Sequence, residues 1–263
     1  MSIVIVLAKA PVAGRVKTRL CPPLSGEQAA DIALAALQDT LRAVAAIQVD
    51  HRILVLDGEP GDWVPEGFSV LPQKTGLLDQ RLIDAFADVF AHVGQLNLGS
   101  ETSGAKRVNT SGTNSLPSAD ITDRDDISNT QSLRGPHGIA VERGEPCVLI
   151  AMDTPQVHPR QLSDALALLA DADSVIGMAE DGGFWMIGLN NPDPEVFRDI
   201  PMSMDFTGAA QLDRLASLGH RTVTVETLRD IDSFADLDAV AAEFPDLAVS
   251  HVWIAMQRAL TNC

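Results

Sequence analysis

The chain has 263 residues, of which 46% are hydrophobic and 21% charged, enough to bury a substantial core. Only 4% are aromatic and none is Tyr, so that core is aliphatic. Against 36 acidic residues stand 19 basic ones, a net charge of −17 that argues against a general nucleic-acid or anionic-membrane binder.

The apolar pattern alternates between short runs and helical stretches. Ser2–Leu7 reads as a strand covered on both faces. Ser25 and Gln28 form the signature of a capping box, and Ile32, Leu34, Leu37, Leu41, Val44 and Ile47 carry an amphipathic helix onward from it. Arg52–Leu56 and Phe68–Leu71 are strands, and Leu77–His92 has helical spacing. Cys147–Met152 is a further buried strand, followed by a helix opening near Pro159. Ser174–Met178 and Phe184–Leu189 are strands around a Gly-Gly turn. Thr207–Leu218 is a helix closed by Gly219, Thr222–Leu228 a strand, and Phe234–Phe244 and Val249–Leu260 are closing helices. This order predicts an α/β domain with a mostly parallel sheet. The polar stretch at about 95–144 has no aromatic residue and no period. It reads as a disordered insertion in a single domain spanning 1–263, with a functional lid as the alternative.

Cys21, Cys147 and Cys263 make neither a disulfide framework nor a metal pattern. With no basic leader at the start and no run near the roughly 20 apolar residues of a membrane span, a cytoplasmic protein is expected.

Four segments carry chemistry. The loop after the first strand packs Lys9, Arg15, Lys17 and Arg19 into eleven residues with no acidic residue, shaped by Pro11 and Gly14. Ligands of open α/β sheets bind at the carboxyl ends of strands, so a basic loop there suits a polyphosphate. The spacing of Gly14 and Lys17 excludes a P-loop, and a solvated loop that balances the acidic surface is the alternative. Asp153 directly follows a buried strand, where one or two carboxylates plus substrate phosphates would suit Mg²⁺; it could instead cap a helix. Asp181, Gly182, Gly183 and Phe184 form a turn at which the backbone can approach a ligand, or a plain hairpin. Asp230 and Asp232 lie on one side of an extended segment and could meet one metal, although Asp232 could simply cap the next helix. Cys21 beside Arg19 is a weaker candidate for an activated thiol. Trp63, Trp185 and Trp253 read as packing residues, with Trp185 near enough to the glycines to line a pocket. No HExxH motif and no GxSxG elbow occurs.

The stretches AKAPVAGRVKTRL, PQKTGLLDQRLIDAF, VLIAMDTPQV, AEDGGFWMIGL and RDIDSFADL together resemble the bacterial nucleotide-diphospho-sugar-transferase-like family, the selenodomain-associated "transferase 1" glycosyltransferase-like proteins. The first stretch is also similar to the basic loop of 2-phospho-lactate (phosphoenolpyruvate) guanylyltransferase and, more distantly, to that of molybdenum-cofactor guanylyltransferase. The resemblance implies a GT-A-type fold, a three-layer sandwich on a mostly parallel sheet. It implies Mg²⁺ or Mn²⁺ at Asp153 and the Asp230/Asp232 pair. It places phosphates on Lys9, Gly14, Arg15, Lys17 and Arg19, and a nucleotide pocket at Gln73 and Arg81. Phe184 stands where the family often has Tyr.

Two reactions suit these residues. A nucleotidyltransferase needs cations for a triphosphate at the first loop. A glycosyltransferase with an NDP-sugar donor needs chiefly the metal and its carboxylates. The residues favour nucleotidyl transfer to a small phosphorylated acceptor, the family label favours glycosyl transfer, and a nucleotide-binding module without activity is the third reading. In the first of these, Lys17, Arg15 and Arg19 stabilise phosphate charge, Asp153 and Asp232 hold the metal, and Asp181 binds the acceptor or acts as base. The base, the acceptor and the oligomeric state stay open.

Overall fold

A computed structural model describes residues 1–104 and 144–261. Seven strands form one sheet: β1 (Ile3–Lys9), β2 (His51–Asp57), β3 (Phe68–Pro72), β4 (Cys147–Ala151), β5 (Ser174–Ala179), β6 (Phe184–Leu189) and β7 (Thr222–Leu228). Six α-helices accompany them: α1 (Gly26–Ala45), α2 (Leu78–Gly104), α3 (Pro159–Leu168), α4 (Thr207–Ser217), α5 (Phe234–Glu243) and α6 (Ala248–Thr261). The strand order is β3-β2-β1-β4-β6-β5-β7. Only β6 runs against its neighbours β4 and β5; the other pairings are parallel.

The apolar runs read as buried strands are buried because both sheet faces are covered. Along β1, Val4, Val6 and Ala8 enter one core cluster, while Ile3, Ile5 and Leu7 enter the other. Period-2 alternation therefore divides one continuous run between two interiors. Leu37, Leu41 and Val44 of α1, with Leu162 and Ala165 of α3, fill the first cluster. Leu82, Phe86 and Val89 of α2, with Leu215 of α4, fill the second. The expected three-layer α/β sandwich on a mostly parallel sheet is the observed architecture. A third cluster joins the outer side of α1, through Ile32 and Ala36, to Leu237 of α5 and Val249 and Trp253 of α6.

The capping box of α1 forms as read: Gln28 N–H donates to Ser25 Oγ at 3.2 Å, and Ser25 N–H donates to Gln28 Oε1 at 2.8 Å. The chain divides into two compact units, Met1–Val93 with Gly144–Cys263, and Gly94–Arg143. Of the second, only the continuation of α2 is described. That continuation departs from expectation, since the helix runs past His92 to Gly104. No Pro interrupts Gln95–Gly104, and extending an existing helix is far easier than nucleating one. The rest of the expected polar insertion lies outside the described residues. Among the described residues no helix is long and apolar enough to cross a membrane.

Candidate functional site

Strand direction decides where the four segments meet. β1, β2, β4, β5 and β7 all run the same way, so the loops after Lys9, Asp57, Ala151, Ala179 and Leu228 leave one edge of the sheet. β6 runs back from that edge and begins there with Phe184. A cavity of about 420 Å³ opens on it, lined by Lys9, Arg15, Lys17 and Arg19 from the first loop, Arg81 of α2, and Asp153 and Asp232. Its position beside β1 and β4, where the sheet order turns both ways, is where α/β ligands are expected.

The basic loop is held by turns. Gly14 takes φ +76°, and Arg15 N–H donates to the Val12 carbonyl at 3.0 Å. Lys17 adopts φ 47° and leads into a 3-10 turn at Thr18–Leu20, whose Leu20 is wholly buried. The main chain thereby sends Lys17 inward. Its side chain is only 5% exposed, and its Nζ lies 2.5 Å from Asp153 Oδ1 and 3.8 Å from Asp232 Oδ1. The same Nζ donates to the Ile231 carbonyl. Arg19, on the surface, meets Asp232 Oδ2 at 2.5 Å, and Arg15 meets Asp57 at 3.4 Å. Lys9 lines the cavity with no carboxylate partner among the described residues. Arg81 donates to Gln73 Oε1, and Gln73 Nε2 is buried without a partner.

The carboxylates separate by role. Asp153 is not a helix cap; His158 caps α3. Asp153 O accepts from Ile231 N–H at 2.9 Å, tying the β4 end to the β7 end. Asp232 is not a cap either, because Ser233 and Asp236 form the box of α5. Asp230 faces inward, its Oδ1 accepting from Thr154 Oγ1 at 3.3 Å. Burial pushes the Asp230 carboxyl up to about 7, the neighbouring carboxylates of Asp153, Asp181 and Asp232 push the same way, and Lys17 opposes them.

A metal set of three carboxylates is not assembled: among the described residues no group of three or more Asp, Glu, His or Cys side chains is placed to hold an ion. What converges is the pair Asp153 and Asp232, which flank the Lys17 ammonium at 2.5 and 3.8 Å. Hard oxygen donors in that number suit Mg²⁺ or Mn²⁺ bound together with substrate phosphates.

The Gly-Gly turn is built for contact within the protein. Gly182 has φ +89°, and a Cβ there would collide with the Asp205 carbonyl. Gly208 N–H donates to the Gly182 carbonyl at 2.8 Å, and Gly183 N–H donates to Asp181 Oδ1 at 2.8 Å. The close backbone approach expected for a ligand at Gly182 is thus made by the segment leading into α4. Trp185 is fully buried against Gly177 and donates to the Glu226 carbonyl at 3.0 Å, so it packs rather than lines the pocket. Cys21 stands by the Ser25 carbonyl. Cavity-lining residues the sequence reading missed include Leu78 and Ser203, and it also missed Asp57 as the partner of Arg15. Asp57 ends β2 on the ligand edge and was recoverable from that rule, whereas nothing local marks Ser203.

The fold is shared with a protein named for nucleotide chemistry. The whole chain aligns with a candidate nucleotide-diphospho-sugar transferase from Desulfovibrio desulfuricans G20, covering 100% of this chain and 98% of that one, at 18% identity and a TM-score of 0.72. At that identity the likeness establishes the fold. Weaker likenesses, which carry no argument, are to Rv0371c from Mycobacterium tuberculosis H37Rv (16% identity, 92% of this chain and 98% of that one, TM-score 0.47) and to 4-diphosphocytidyl-2C-methyl-D-erythritol synthase from Anaerococcus prevotii DSM 20548 (10%, 93% and 96%, 0.46). No curated protein matches the sequence significantly. Residues 132–204 match the family model described as "Uncharacterized protein conserved in bacteria (DUF2064)". That stretch includes β4, Asp153 and the turn at Asp181–Phe184. It includes neither the basic loop nor Asp230 and Asp232.

Proposed function

We propose that this chain is a nucleotide-utilising transferase, dependent on Mg²⁺ or Mn²⁺, that moves a nucleotidyl group from an NTP to a small phosphorylated acceptor. An acceptor phosphate oxygen attacks the α-phosphorus, the bond from that phosphorus to the bridging oxygen breaks, and pyrophosphate leaves. One observation carries the reading: Lys9, Arg15, Lys17, Arg19 and Arg81 converge on a single cavity of about 420 Å³ at the ligand edge of the sheet. That volume is of the size that takes a small ligand, and five cations answer a triphosphate better than the diphosphate of a sugar donor.

Arg15, Arg19 and Lys9 hold the β- and γ-phosphates and take up the charge that develops on leaving pyrophosphate. Arg81, braced by Gln73, closes the nucleotide side. Asp153 and Asp232 would hold the metal, which when bound supplies Lewis-acid neutralisation of phosphate oxygens. Asp181, with Oδ1 engaged by Gly183, orients the acceptor through its second oxygen beside Phe184.

Glycosyl transfer from an NDP-sugar is the second reading, favoured by the name of the Desulfovibrio protein whose fold this chain shares. Thermal shift with each NTP against NDP-sugars in the presence of Mg²⁺ tests the order. A larger shift with an NTP, followed by pyrophosphate release with small phosphorylated acids, is expected. A larger shift with an NDP-sugar reverses the two readings, and no shift with either supports a scaffold without activity.

A further inference from the structure

Lys17 is the most enclosed cation of the site, its ammonium held by one hydrogen bond and two ion pairs. An ammonium has three N–H donors. Three oxygens converge on this one: the Ile231 carbonyl, Asp153 Oδ1 at 2.5 Å and Asp232 Oδ1 at 3.8 Å. The contacts span the ends of β4 and β7, and a left-handed backbone at a non-glycine residue is maintained to make them, which costs on the order of 1 kcal/mol. Arg15 and Arg19 differ in being well exposed, with side chains 59% and 73% accessible.

Asp153 and Asp232 are also the two carboxylates that a divalent cation would need. An ammonium 2.5 Å from one of them and a divalent cation on the same oxygens repel each other strongly in a partly desolvated cavity. One must leave for the other to bind. Lysine suits such an exchange, because it is a compact point charge on a flexible four-carbon stem, whereas arginine's planar fork favours a fixed bidentate seat.

We propose that Lys17 is an internal counter-cation that keeps the Asp153–Asp232 pair closed to free metal and releases it when an arriving polyphosphate offers the ammonium new oxygens. Metal and polyphosphate then bind as a linked pair, each raising the affinity for the other by the same factor. The part played by the polyphosphate rests on the function proposed above; the competition between Lys17 and metal does not.

Calorimetric titration of the full chain with MnCl₂ alone, without nucleotide, separates the two. Lys17→Met is expected to bind one Mn²⁺ at least tenfold more tightly than the parent, and Lys17→Met/Asp153→Asn to lose that gain. With inorganic tripolyphosphate added, and its own Mn²⁺ complex accounted for, the parent takes up metal and tripolyphosphate together. A thermal melt verifies folding of each variant, and Lys17→Gln, which keeps a donor for the Ile231 carbonyl without the charge, replaces Lys17→Met if that variant does not fold. A parent that binds Mn²⁺ alone as tightly as the Lys17 variant overturns the proposal. So does a gain that survives loss of Asp153, or no binding in any variant. Failure of every nucleotide to bind would sink the transferase reading while leaving the Mn²⁺ comparison intact.

Discussion

Asp39 is an acid in the middle of the apolar helix α1, with a fully buried side chain. Its two oxygens accept from the backbone N–H groups of Ala248 at 3.1 Å and Val249 at 3.0 Å, the opening donors of α6. Arg42 meets it at 2.5 Å but is itself 64% exposed. Asp39 therefore serves as a remote cap for α6, supplied by a helix some two hundred residues earlier, and its charge sits at the positive end of the α6 dipole. Replacement by Ala strands one buried and one half-buried donor. Loss of a cap costs about 1–2 kcal/mol, and a hydrogen bond to a charged group contributes about 1.5–3 kcal/mol; the two overlap, so about 3 kcal/mol is expected for Asp39→Ala. At roughly 2–4 °C per kcal/mol for a domain of this size, the melting temperature should fall by about 10 °C. Asp39→Asn, which keeps one acceptor, should lose about half as much. Arg42→Ala should cost under about 1 kcal/mol, because an ion pair with an exposed partner is screened. Urea denaturation gives the three values, and hydrogen exchange should show α6 amides opening first in Asp39→Ala. If Arg42→Ala proved as costly as Asp39→Ala, the ion pair rather than the cap would be the source of stability, and the reasoning would fail.

Three further perturbations read other parts of the molecule. A Cβ at Gly177 would lie 2.5 Å from the Trp185 ring, so Gly177→Ala should destabilise by about 2 kcal/mol or more and red-shift the tryptophan emission; an unchanged spectrum and stability would contradict the packing. Asp230, pushed up to about 7 by burial first and neighbouring carboxylates second, makes stability depend on pH in metal-free buffer. Below about pH 4 the group is protonated folded and unfolded alike; between there and about 7 only the folded chain keeps the proton, so stability falls as pH rises and is flat above. At about 1.4 kcal/mol per unit the loss is on the order of 4 kcal/mol, and Asp230→Asn should remove it, leaving the variant more stable than the parent at pH 8 in denaturant titrations. Arg81→Met should weaken binding of the preferred nucleotide at least about tenfold, the loss of one charge-assisted hydrogen bond, with little change in melting temperature without nucleotide.

Periodicity made the fold legible, because each element has one strong signal. The run Ser2–Leu7 reads as a strand covered on both sides, and its Ile3–Leu7 lies in β1; the Ser25/Gln28 box starts α1. The edge on which the basic loop and the carboxylates gather also followed from strand order. Less legible was whatever depends on contacts between distant segments. Lys17 reads from its neighbours as one more exposed cation, and only the 3-10 turn after it, anchored by buried Leu20, turns it inward. Gly182 reads as a place for a ligand to approach, yet the atom that approaches belongs to Asp205. Asp39 offered a cue, an acid amid apolar α1 positions, but its partners lie at the other end of the chain.

The distribution of charge ties these points together. The basic loop contains no acid of its own, which in sequence looks like an open positive patch within a chain of net charge −17. In the fold, strand ends bring acids to it: Asp57 to Arg15, Asp153 to Lys17, and Asp232 to both Lys17 and Arg19. Arg15, Lys17 and Arg19 are therefore neutralised from within, and on the function proposed above a polyphosphate reaches these three by exchanging with carboxylates already there, while Lys9 has no such partner among the described residues. Exchange at exposed Arg15 and Arg19 costs little, since such pairs contribute under about 1 kcal/mol. At Lys17, nearly sealed from water, it costs more, and the freed Asp153 and Asp232 then need a new cation. On the function proposed above, such an arrangement would select a polyanion that arrives with metal and turn away a bare one.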